Sequence, residues 1–194
     1  VDGLTRFGSA TALITASGSL SYADLAAKVD EQVQGWRELG PDRRLVHLEL
    51  TATTSAVSAY LAALAAGHAV LLTAPGAGGT IAAVHRPDSM GGTEAGEWIL
   101  THAQHASTHV LHDELALLLS TSGSTGSPKL VRLSRENLAA NTDSIVRALD
   151  LGPTDVGVTT LPLHYCYGLS VLHTHLAVGA ALLLTERSVT DAAL

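Results

Sequence analysis

The stretch Leu115-Ala116-Leu117-Leu118-Leu119-Ser120-Thr121-Ser122-Gly123-Ser124-Thr125-Gly126-Ser127-Pro128-Lys129 is the most informative in the chain. Glu114 to Thr121 reads as a strand. Leu115 to Leu119 is apolar at every position, so both faces of that strand are covered. Seven consecutive small residues, Thr121 to Ser127, follow it. Small side chains let backbone N–H groups approach a ligand, and Gly123 and Gly126 admit positive φ. Consecutive N–H groups in such a turn form a concave nest for anions. The hydroxyls of Thr121, Ser122, Ser124, Thr125 and Ser127 add donors, and Lys129 adds a fixed positive charge. Together they suit a polyphosphate. The pattern is not a Walker A loop, which ends in Gly-Lys-Ser/Thr; here Pro128 precedes Lys129 and Leu130 follows. The alternative is a flexible Ser/Gly-rich turn. Such a turn requires neither Pro128 and Lys129 at its mouth nor a buried strand feeding it.

Outward from this loop, strand-like and helix-like segments alternate. Ser21 is an N-cap candidate, with Leu25, Val29, Val33, Trp36 and Leu39 following at near-helical spacing and Gly40-Pro41 as the stop. Leu45 to Leu50 reads as a strand, Thr54 to Ala66 as a helix, and Ala69 to Thr73 as a buried strand. Pro75 to Thr80 reads as a Gly-rich break, and the pattern to Gly96 is ambiguous. Trp98 to Thr101 is a short strand candidate. Lys129 to Leu133 looks extended, and Ser134 caps a helix carrying Leu138, Ile145 and Leu149, closed by Gly152-Pro153. Val156 to Leu161 reads as a strand, Gly168 to Val178 as a helix, and Ala180 to Leu184 as a strand. This β–α–β alternation with doubly apolar strands predicts an α/β fold. Its sheet is mostly parallel and flanked by helices, with the loop between two strands on the sheet edge. No linker divides the chain.

Composition removes several function classes. The 194 residues carry 11 Lys plus Arg against 18 Asp plus Glu, a formal charge of -7. That balance argues against a nucleic-acid partner. Hydrophobic residues at 46% with charged ones at 15% exclude a disordered chain. A single cysteine, Cys166, gives no internal disulfide and fits a reducing, cytoplasmic setting. No apolar run is long enough to span a membrane. The chain begins without Met, and Ser188 to Leu194 reads as a capping pattern followed by about one helical turn. The expectation is a piece of a longer protein.

Thr121 to Lys129 resembles the phosphate-binding signature of the adenylate-forming superfamily, which includes acyl-CoA synthetases, peptide-synthetase adenylation domains and beetle luciferases. Leu161-Pro162-Leu163-His164-Tyr165-Cys166-Tyr167-Gly168 is similar to the family's Pro-x-His-x-x-x-Gly segment beside the acyl pocket. Leu130 to Leu138, with Ser134 and Asn137, resembles the strand and helix after the loop. Smaller landmarks match at His68 to Leu72 and at Val178-Gly179-Ala180, and residues 80 to 112 match least.

The resemblance implies ATP-dependent activation of a carboxylic acid to an acyl-adenylate, then transfer to a thiol such as CoA. It implies that Thr121, Ser122, Gly123, Ser124, Thr125, Gly126 and Lys129 hold the ATP phosphates, and that Thr121 helps to hold Mg²⁺. Lys129 and His164 are the implied catalytic residues, with His164 beside the reacting carboxylate; a packed histidine at the helix start is the alternative. His164, Tyr165, Tyr167 and Gly168 are the implied acyl-pocket residues, although Tyr165 and Tyr167 could equally pack the core. Amino-acid-activating relatives carry an Asp just after the pocket-gating position, where this chain has Tyr165, and no acid occurs from His164 to Val178. A buried ammonium would lack its counter-charge, which favours a fatty, aryl or other amine-free acid.

The family's Thr-Glu motif, its ribose-binding Asp and its small C-terminal domain are not found after Gly168. The chain is therefore expected to be part of the large N-terminal domain and inactive alone. Apolar surface left open by truncation would favour a homo-oligomer. A non-catalytic binding module or subunit that keeps the phosphate loop is the alternative function.

Two other features compete. His102, His105, His109 and His112 would share one face of a helix and could hold a transition metal. Ser107-Thr108 and Val110 disfavour that helix, so loop histidines are the expected reading. Cys166 is expected to be a buried packing residue rather than a reactive thiol.

Overall fold

Two serine capping boxes frame the architecture. The computed structural model describes residues 2–103, 107–120, 129–187 and 190. The Ser21 hydroxyl accepts from the Asp24 N–H at 3.1 Å, and the Asp24 carboxylate accepts from the Ser21 N–H at 3.3 Å. Ser134 and Asn137 repeat the exchange at 3.1 and 3.0 Å. Each box satisfies two of the donors that a helix start leaves unpaired.

The elements run α1 (Asp2–Thr5), β1 (Thr11–Thr15), β2 (Gly18–Ser21), α2 (Tyr22–Glu38), β3 (Leu45–Glu49), α3 (Thr54–Ala65), β4 (Ala69–Thr73), α4 (Gly78–His85) and β5 (Ser89–Glu94). There follow β6 (Glu97–His102), β7 (Leu115–Ser120), β8 (Leu130–Ser134), α5 (Arg135–Leu149), β9 (Val156–Val158), α6 (Cys166–Val178) and β10 (Ala181–Leu183). The strands form two sheets, ordered β2-β1-β10-β9 and β6-β5-β3-β4-β7-β8. Interior pairings in both are parallel, and the antiparallel pairs β1–β2, β5–β6 and β7–β8 lie at the edges. The expected α/β class holds, with its parallel strands divided between two sheets.

One continuous core joins both sheets. It takes Leu13 and Leu182 from the smaller sheet and Val46, Leu48, Val70, Leu72 and Leu117 from the larger, with α2, α3 and α6 between them. α3 is buried nearly all round, through Ala56, Val57, Ala59, Tyr60, Ala62 and Ala63. A helix apolar on every side belongs inside, and its alanines let both neighbours come close. The opposite face of the larger sheet buries Leu45, Leu71 and Leu118 with Ile81 of α4.

Several sequence expectations are corrected. The presumed break at Pro75 to Thr80 contains the start of α4 at Gly78. Its N-cap residue, Ala77, has no side-chain acceptor; the buried Glu49 carboxylate accepts from the Gly78 N–H at 3.0 Å instead. The ambiguous stretch contains β5, whose glycines disguise it. A Cβ on Gly91 would lie 2.7 Å from Leu48 and Trp98, so the bare backbone makes room for the indole of the neighbouring strand. α5 ends at Asp150 in the left-handed conformation, before Gly152. The strand expected over Val156 to Leu161 stops at Val158.

A buried polar cluster closes the end of the larger sheet. His68 is 4% exposed, accepts from the Arg44 N–H through Nδ1 at 3.2 Å, and meets the Trp36 ring edge-on. Its Nε2 has no hydrogen-bond partner among the described residues. Burial first, and then the Arg44 and Arg43 charges, push its pKa down to about 4. A base whose folded pKa is depressed favours its neutral form in the fold. The unfolded chain then binds more protons between about pH 6.5 and 4, and stability falls as pH drops through that window. The His68 share is on the order of 3 kcal/mol, complete above the window and lost below it. Denaturant midpoints measured from pH 7.5 to 4.5 should fall steeply in the wild type and less in His68→Gln. Equal slopes for the two proteins would remove His68 as the cause.

Candidate active site

The cavity with the strongest claim lies where the larger sheet's edge meets α5 and α6. Its volume is about 630 Å³, within the usual range for small-ligand pockets. β7 and β8 contribute Leu119, Ser120, Val131 and Leu133; α5 contributes Asn137, Leu138 and Asn141. The α6 region contributes His164 to Tyr167, Leu169, Ser170 and His173. Among these lining residues none is Lys, Arg, Asp or Glu. Asn141 donates to the Ser170 hydroxyl at 3.2 Å, which ties α5 to α6 across the wall.

Thr121, Ser122, Gly123, Ser124, Thr125 and Gly126 lie outside the described residues. The positions on either side of them are described. β7 ends at Ser120 and β8 begins at Leu130, and these two residues are paired across the edge of the sheet. Ser120 also lines the cavity, so the Ser/Gly-rich segment leaves from its rim. Lys129 is exposed at the segment's return. The loop therefore connects two strands at the sheet edge, as expected.

His164 is half-buried on the turn before α6, and its ring meets Tyr165 edge-on at 5.5 Å. Burial pushes its pKa below the ordinary histidine value, so the imidazole is neutral at neutral pH. It lines the large cavity and also a second one of about 220 Å³. The second cavity is formed by residues just past the carboxyl ends of β3, β4, β9 and β10, including Thr51, Pro75, Thr160 and Thr185. Crevices at the carboxyl ends of parallel strands are where open α/β sheets take ligands. His164 thus stands between the two cavities.

Tyr165 and Tyr167 are 48% and 67% exposed and line the large cavity; they do not pack the core. Cys166 is exposed on the same wall, against the expectation of burial. It occupies the first turn of α6, between the exposed Tyr165 and Tyr167. Gly168 is buried beneath the wall rather than in it. A Cβ there would lie 2.4 Å from the Pro162 carbonyl oxygen and 2.6 Å from that of Leu161. The glycine lets α6 start directly against the turn that carries His164.

The sequence reading missed Tyr60 and His173. The Tyr60 hydroxyl and His173 Nε2 are 2.8 Å apart, and the rings stack at 5.7 Å and 15°. His173 follows Leu169 by four positions, one helical turn, which would have placed both on one face of α6.

His102, His109 and His112 do not share a helix. His102 pairs with Ser89 at 3.0 Å, His109 with the Arg86 carbonyl at 2.9 Å, and His112 accepts from the Glu114 N–H at 3.2 Å. His105 lies outside the described residues. Among the described residues no group of three His, Cys, Asp or Glu gathers to hold a metal, and no helix is long and apolar enough to cross a membrane.

Comparison with known proteins supplies the family. A sulfoacetate–CoA ligase of Cupriavidus necator is 49% identical over 59 residues, which are 30% of this chain and 12% of that protein. ATP-bound MatB from Rhodopseudomonas palustris superposes on 95% of the chain with a TM-score of 0.73 at 23% identity. The o-succinylbenzoate CoA synthetase of Bacillus subtilis superposes on 95% with a TM-score of 0.76 at 19% identity. These superpositions take in 45% and 44% of the two solved chains, so this chain spans under half of their length. At such identities they show a shared fold. The family model for AMP-binding enzymes matches residues 79–194, more than half of the chain. The chain belongs to the AMP-binding enzyme family.

Proposed function

We propose that this chain supplies the phosphate loop and acyl pocket of an ATP-dependent acid–thiol ligase, as part of that enzyme's large N-terminal domain. The observation that carries this reading is the placement of one cavity between Ser120, at the root of the Ser/Gly-rich segment, and His164. ATP supplies an electrophilic phosphorus: the carboxylate attacks it, pyrophosphate leaves, and an acyl-adenylate forms that a thiol such as CoA then cleaves. The chain's own residues do the rest. Backbone N–H groups and hydroxyls of Thr121 to Gly126, with the Lys129 ammonium, hold the leaving phosphates as their charge grows. Neutral His164 donates an N–H to the carboxylate and keeps it between the two cavities. Tyr165 and Tyr167 wall the acyl group. Mg²⁺ would arrive with the nucleotide. Thr121 would help to hold it.

The lining also narrows the acid. Neither the described wall nor the segment Thr121 to Pro128 carries a charged side chain. A substrate ammonium, or a second anionic group such as a sulfonate, would be buried there without a partner. This lining favours an amine-free acid with an uncharged tail, fatty or aryl. ATP–pyrophosphate exchange by the full-length protein should be greatest with such acids and at least tenfold weaker, by a rough estimate, with amino acids or sulfoacetate. Exchange confined to amino acids would overturn the substrate class. Nucleotide binding without exchange on any acid would favour the non-catalytic module.

A further inference from the structure

We propose that His173, held by Tyr60, is a specificity-determining floor that ends the acyl cavity and sets the longest acid the enzyme accepts. The inference rests on the acyl-pocket reading given above. A third cavity of about 480 Å³ also borders His173; its lining includes the apolar Val29, Leu61, Leu64 and Leu176 and the charged Arg6 and Asp143. It shares two lining residues with the large cavity, His173 of α6 and Leu138 of α5. These two side chains are the partition. His173 lies about two turns along α6 from Cys166, on the order of 10 Å by helix rise. That places it at the deep end, away from the rim formed by Ser120 and His164.

The partition is rigid. Tyr60 is fully buried, and burial keeps its phenol protonated at any working pH. The hydroxyl and His173 Nε2 share a hydrogen bond of 2.8 Å. Burial holds His173 neutral, with a pKa down at about 4. The neutral ring stacks on the phenol as well. Hydrogen bond and stack together fix the imidazole plane across the gap. A tail that reaches it must stop, although the third cavity borders the same ring. The acids selected have uncharged tails no longer than the first cavity, and fully extended long-chain acids are refused.

The test uses the full-length protein and pyrophosphate exchange with straight-chain acids of graded length. The wild type should show a limiting length beyond which kcat/KM falls roughly tenfold or more. His173→Ala should move that limit to longer acids and raise the long-to-short ratio of kcat/KM by roughly tenfold. Leu138→Ala opens the same partition from α5 and should move the limit in the same direction. It decides the matter if His173→Ala does not melt cooperatively. His173→Phe refills the gap and should restore the limit, which a merely structural role would not require. A wild type without any limiting length, or an unmoved limit in folded partition variants, overturns the floor while leaving the ligase reading intact. Absence of exchange with every acid overturns the ligase reading and the floor with it.

Discussion

Lys129→Ala in the full-length protein should lower ATP–pyrophosphate exchange by ~100- to 1,000-fold, the usual cost of removing one preorganised group from a developing anion. The side chain is exposed at the point where the Ser/Gly-rich segment rejoins the sheet. Exposed positions of this kind change stability by roughly 0.5 kcal/mol or less. The variant should therefore melt with the wild type while losing activity, which separates chemistry from folding. The loss should be concentrated in kcat, because the pyrophosphate gains its charge in the transition state. Lys129→Arg should recover only part of the rate, since a planar guanidinium cannot reproduce a compact ammonium. Exchange within threefold of wild type for Lys129→Ala would remove this residue from the phosphate site, and with it the main chemical argument for the loop.

Gly168→Ala should damage both fold and activity. The added methyl would meet the backbone oxygens of Pro162 and Leu161 at 2.4 and 2.6 Å, and backbone cannot rotate aside as a side chain can. Overpacking of this kind costs about 1–3 kcal/mol. Relief requires α6 to move away from the turn, and that turn carries His164. A displacement of ~1 Å in a positioning group costs on the order of 100-fold in rate. Thermal melting and exchange kinetics should fall together, and His164 should lose its dependence on the acid's carboxylate. Wild-type melting and rate in Gly168→Ala would show that α6 does not need its close start.

Much of this was legible in the chain itself, for local reasons. Ser21 and Ser134 announce their helices because a capping box is written within four residues. The doubly apolar run Leu115 to Leu119 marks a central position, and β7 does lie between β4 and β8. The family signature at Thr121 to Lys129 identified the same family that the matching model supports. What escaped depends on distant partners. Gly91 and Gly92 looked like punctuation because the Trp98 ring and Glu49 carboxylate that crowd them belong to other strands. α4 was hidden because its start is capped from Glu49, 29 positions away. The division into two sheets is a matter of pairing, which no local pattern records. Within the site, His164, Tyr165 and Tyr167 line one cavity, while Gly168 is buried against the Pro162 and Leu161 carbonyls. His173 passed unnoticed because its partner Tyr60 lies 113 positions earlier.

The last strand among the described residues is also an inner strand. β10 is flanked on one side by β1 and on the other by β9, and the Tyr22 hydroxyl is satisfied by the Ala180 carbonyl, 158 positions away. During synthesis the β1–β2 hairpin therefore emerges from the ribosome with an open slot that stays empty until residues 181–183 have been translated. Contacts so remote in sequence slow folding. The nascent chain should lean on chaperones at this stage, and a protease should find residues 11–21 readily until β10 arrives to close the gap.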